Sequence, residues 1–170
     1  MKNTEDIVFN PWLDAFKKDE LINALKQRTF IKRGDKIVPL ETIIDELGRK
    51  KEPDAIEPIF EILLNGVKKN ENTREDLISR LHNYLTKQSA LFALVSMGSD
   101  IILEPMAIKL EASETDVRYA ATQVIGELAK FGDKKAFEKL SEIANKENEE
   151  SVIRGFAKGV RDLIKFQRMK

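Results

Sequence analysis

Self-similarity at a spacing of 34 to 36 residues constrains this chain more than any other feature. Arg118, Ala121, Val124 and Leu128 recur as Arg154, Ala157, Val160 and Ile164, each 36 residues later. Gly98 recurs as Gly132, and residues 102–106 match 136–140 in character, both at an offset of 34. Residues 55–63 match 102–110 at the longer offset of 47, which a polar insertion over 67–74 accounts for. A unit this short cannot bury an apolar face alone. It stacks on its neighbours, and the buried core runs through the stack.

Each unit reads as helix, with apolar residues at the i, i+3, i+4, i+7 spacing. Leu40, Ile43, Ile44 and Leu47 form one face, which Gly48 ends. Ala55, Ile56, Ile59, Phe60 and Leu63 form the next, closed by Asn65-Gly66. A long helix carries Leu77, Ile78, Leu81, Leu85, Phe92 and Val95 toward Gly98, and Ile101, Ile102, Met106 and Leu110 follow. Val117, Ala120, Ala121, Val124, Ile125, Leu128 and Phe131 line another helix. Gly132 then ends that helix and Asp133 caps the one after it, which carries Ala136, Phe137, Leu140, Ile143 and Ala144. The last face holds Ile153, Phe156, Ala157, Val160, Leu163 and Ile164. No period-2 alternation persists between turn signals, so the chain is expected to be all-α, without a sheet.

The organisation follows. Residues 1–36 form an N-terminal helical cap, with Trp12, Phe16, Ile22 and Leu25 on one broken helix or two short ones, ended by the Arg33-Gly34-Asp35 turn. Residues 37–170 form the repeat domain, packed with that cap as one unit. Composition narrows the function classes. Lys+Arg and Asp+Glu both number 29, so the formal net charge is zero and a whole-surface binder of DNA or anionic membrane is disfavoured. There is no cysteine and one histidine, His82, which removes disulfides, thiolate metal sites and two-histidine motifs. The acidic start and the short apolar runs predict a cytoplasmic protein with no membrane contact.

The repeated residues resemble the HEAT repeat, in the short HEAT-like form also found in phycobilin lyase families. Asp116-Val117-Arg118, Ala121, Leu128, Gly132-Asp133, Ala136-Phe137 and Leu140 carry the pattern. The best unit covers about 114–147, weaker ones 38–65 and 75–112, and a half unit 148–168. The resemblance implies a right-handed α-α superhelix of about three and a half repeats after the N-terminal segment. It also implies that Asp116 and Arg118, then Glu150 and Arg154, bond one repeat to the next. It specifies no activity.

No residue set points to catalysis, a cofactor or a metal. His82 lies beside the apolar stripe, adjacent carboxylates such as Asp45-Glu46 and Glu149-Glu150 point apart on a helix, and the phosphate-cradling glycine motifs are absent. The chain is therefore expected to be a non-catalytic scaffold for protein–protein interaction or self-association. Second helices of the pairs would present Glu57, Glu61, Glu138, Lys139 and Glu142 on a concave side. One pattern stands above this background: Arg154, Lys158, Arg161, Lys165 and Arg168 form a basic stripe on the last helix. It reads as a solvated helix edge or, as the alternative function, a contact for nucleic acid or another polyanion. Phe166, away from Ile153 and Val160, is expected to be exposed there.

Overall fold

The 3.6-residue apolar period becomes eight α-helices in a computed structural model that describes residues 16–66 and 77–169. These are α1 (Lys18–Gln27), α2 (Leu40–Arg49), α3 (Ile56–Asn65), α4 (Leu77–Met97), α5 (Ser99–Lys109), α6 (Thr115–Lys130), α7 (Lys134–Asn145) and α8 (Ser151–Arg168). The 67–74 insertion and Trp12 lie outside the described residues.

The expectation of no sheet is corrected. Strands β1 (Ile31–Arg33) and β2 (Lys36–Val38) pair antiparallel, with Ile31 opposite Val38 and Lys32 opposite Ile37. Gly34, at φ 60°, supplies the left-handed backbone that the reversal needs. Three-residue strands are too short for alternation to be read. They form because Ile31 and Val38 both pack onto the core.

Alternate helices stack: α2 on α4, α4 on α6, and α6 on α8. Alongside, α3 packs on α4, α5 on α6 and α7 on α8, while α1 covers α2 and α3. The expected faces of α2, α3 and α7 are the buried ones, including Ile43, Ile44, Leu47, Ile59, Phe60, Leu140 and Ile143. Two turns show the repeat as backbone geometry. Gly98 and Gly132, 34 residues apart, have φ of 86° and 91°. Asp133 caps α7 as expected, its Oδ1 accepting from the Ala136 N–H at 2.8 Å. Asp133→Ala should cost about 1 kcal/mol, seen as a lower urea midpoint at unchanged slope. An unchanged midpoint would remove this cap from the account of α7.

Helix α4 turns the other way from the sequence reading. Leu81, Leu85 and Phe92 are about half exposed, and the buried face is Thr86, Ala90, Ala93, Leu94 and Met97. The cause is a close crossing with α2. A Cβ on Gly48 would stand 2.7 Å from the Cα of Ala93, so the two helices touch through their smallest residues. Gly48 is thus a packing residue inside α2 rather than its terminator. Phe131 and Leu163 also lie outside, at 73% and 48% exposure.

Candidate partner-binding surfaces

The fourth residue of α6 and the fourth of α8 do the same work 36 residues apart. Arg118 and Arg154 each donate a backbone N–H to the carbonyl four residues back, that of Glu114 and Glu150 respectively. Each guanidinium then reaches the preceding turn. Arg118 Nη1 donates to the carbonyls of Ala112 and Ser113 at 2.9 and 2.8 Å, and Arg154 Nη1 donates to that of Glu147 at 2.8 Å. One turn on, Thr86 and Thr122, also 36 apart, donate their hydroxyls to the carbonyls of His82 and Arg118.

Arg118 further bonds Glu149 Oε1 through Nε at 2.9 Å. Glu149 is buried and Arg118 half-buried, their side chains 4% and 14% exposed. Burial alone pushes the Glu149 carboxyl up. The Arg118 hydrogen bond, the Glu150 N–H and the Arg118 and Lys146 charges outweigh it and hold the group below the usual carboxylate range. The same balance governs Glu46, where burial opposes hydrogen bonds from Arg49 and Lys50 and loses. Both carboxylates are stabilised as anions by neighbours. That environment suits a structural ion pair and not a general acid. His82 is mostly exposed, with Nδ1 3.5 Å from Glu41, whose carboxylate shares the single Thr86 hydroxyl proton with the His82 carbonyl. Among the described residues no three potential ligands gather as a metal site would require.

The basic stripe of α8 divides in two. Arg154 staples its turn; Arg161 pairs with Asp162 at 3.0 Å and donates to Asn145 Oδ1 at 3.1 Å; Arg168 stacks on the Phe137 ring, 5.0 Å from its centroid. Lys158 and Lys165 are exposed and make no hydrogen bond or ion pair to another described residue. The acidic set is largely committed as well. Glu57 pairs with Lys109 at 2.9 Å, Lys139 with Glu142 at 2.9 Å, and Glu61 accepts from Asn65 at 2.9 Å.

An apolar groove is the surface that sequence reasoning missed. It has a volume of about 660 Å³ and is lined by Phe92, Val95 and Ser96 of α4, Gly98 and Ser99 at the next turn, and Leu128, Phe131, Gly132 and Asp133 at the end of α6. Two of its polar side chains are already engaged within the chain. Ser96 Oγ donates to the Ala93 carbonyl at 2.7 Å, and the Asp133 carboxylate holds Ala136 N–H and the Ser99 hydroxyl. The open lining is mostly hydrocarbon. The signal was present in Phe92 and Phe131, but helical period alone places both with the core. No helix among the described residues is long and apolar enough to cross a membrane. No family model, curated protein or solved structure matches the chain.

Proposed function

We propose that this chain is a non-catalytic, cytoplasmic scaffold that binds another protein, built as a right-handed superhelix of HEAT-like helix pairs. The order of helix stacking, the like turns at Gly98 and Gly132 and the like staples at Arg118 and Arg154 support the architecture. The groove between the ends of α4 and α6 carries the functional reading. It presents exposed Phe131 and Phe92 beside Val95 and Leu128, in a lining that is mostly apolar. Such a surface suits apolar side chains of a partner segment, since most of what it offers is hydrocarbon.

A peptide library displayed on phage and selected against the full chain tests this. Selected peptides are expected to carry closely spaced apolar residues and to lose about 30-fold in affinity for Phe131→Asp, as removal of an aromatic anchor requires. The variant should keep its melting temperature, because Phe131 is 73% exposed. Peptides that bind both chains equally sink the groove. Salt-sensitive retention of duplex DNA that is lost in Lys158→Glu with Lys165→Glu would instead move the function to α8.

A further inference from the structure

Helix α8 is apolar on two sides. Ile153, Ala157, Val160 and Ile164 are buried, while Val152, Leu163 and Phe166 on the other side are 58%, 48% and 54% exposed. Between these outer residues stand Gly155 and Gly159, where an added Cβ meets nothing within 4 Å. Glycine inside a helix sacrifices backbone entropy, and its usual return is the close approach of another backbone. No described part of this chain makes that approach.

The order of side chains along the outer face is self-complementary. Gly155 and Leu163 lie equally far before and after Gly159, and so do Val152 and Phe166. We infer that α8 forms a two-fold dimer of this chain, with two α8 helices crossing antiparallel at Gly159. Leu163 then covers the partner's Gly155, and Phe166 meets the partner's Val152. A parallel crossing would set Phe166 and Leu163 each on its own copy and leave Gly155 without the cover of Leu163.

Charge favours the same arrangement. A two-fold axis normal to the helix pair sets each flank of α8 against the same flank of its copy. Lys158 and Asp162 share one flank, and each Lys158 comes within about 3 Å along the axis of the partner's Asp162, two residues of helical rise. The two lysines are bracketed by the two aspartates. Asp162 is 51% exposed on its side chain despite its contact with Arg161, and has room for a second cation. A single helix crossing is small beside the roughly 1,200–2,000 Å² of a stable interface, so the dimer forms and dissociates with concentration. None of its residues lines the groove, so it stands or falls separately from the groove reading.

Sedimentation velocity of the full chain, from micromolar to near-millimolar concentration, is expected to pass from monomer to dimer. Gly159→Gln puts a good helix former at the axis and should weaken association by about tenfold or more, with an equal or higher melting temperature in dilute solution. The chain has no cysteine, so Gly159→Cys gives a second measurement. With added glutathione disulfide, the two thiols at the axis join as one symmetric disulfide while the reagent is reduced to two thiols; a close crossing holds the Cα atoms within the reach of that bond. Glu104→Cys, on an exposed site of α5, serves for comparison and should cross-link far less. A monomer at every concentration, a dimer indifferent to Gly159→Gln, or equal cross-linking of the two cysteines overturns the inference.

Discussion

Arg118→Met is expected to remove about 3–5 kcal/mol of stability, the cost of leaving a buried charge without its partner. Glu149 is 4% exposed, and without Arg118 its nearest cation is Lys146, at 3.8 Å. The carbonyls of Ala112 and Ser113 lose their donor as well. For a chain of this length the loss corresponds to roughly 6–20 °C in melting temperature. Arg118→Met with Glu149→Leu should recover most of it, because replacing both ions by hydrocarbon leaves no orphaned charge.

The pH dependence checks the same contact with a definite sign. In the wild type the Glu149 carboxyl titrates below its ordinary value near 4.5. The pair therefore contributes fully above that value, and its contribution is lost as pH falls through the lowered one. In Arg118→Met the strongest counterweight is gone and burial pushes the carboxyl upward. The variant then gains relative to the wild type on acidification. Melting curves followed by circular dichroism at pH 7 and pH 4 should show the gap narrowing. A loss below about 1 kcal/mol at pH 7, or a gap that widens in acid, would refute the buried pair as a main tie between the α6 and α8 turns.

Gly48→Ala should destabilise by about 2 kcal/mol, against the usual trend. Glycine to alanine inside a helix ordinarily gains about 0.5–1 kcal/mol. Here the new methyl would lie 2.7 Å from the Ala93 Cα and 2.8 Å from its carbonyl oxygen, both backbone atoms of α4. Those atoms cannot turn aside as a side chain would, so α2 and α4 must part and lose the packing along their crossing. Gly155→Ala gives the opposite sign in dilute solution, a gain of about 0.5–1 kcal/mol, since nothing stands within 4 Å. Urea denaturation of both variants makes the comparison. A stabilised Gly48→Ala would mean that α2 and α4 do not cross this closely.

The sequence by itself determined what depends on a few neighbouring residues. Gly132 and Asp133 end α6 and cap α7, and the buried faces of α2, α3 and α7 follow from the 3.6-residue period, because backbone hydrogen bonding and side-chain spacing are local. The 36-residue recurrence of Arg118 as Arg154 likewise appears as two matched staples. Tertiary structure decided whatever depends on which surface meets which. Helix α4 is apolar on two sides, and its packing against α2, α3 and α6, closest at Gly48 and Ala93, turns Ala90, Ala93 and Met97 inward and Leu81, Leu85 and Phe92 outward. The same dependence on a distant partner assigns Arg118 to Glu149, 31 residues away. It pairs Ile31 with Val38 in strands too short to be read, and it leaves Phe131 on the wall of a groove. It also takes Arg154, Arg161 and Arg168 out of a uniform basic stripe. Periodicity states that a face is apolar. Whether that face is buried depends on the small residues that let another helix come close.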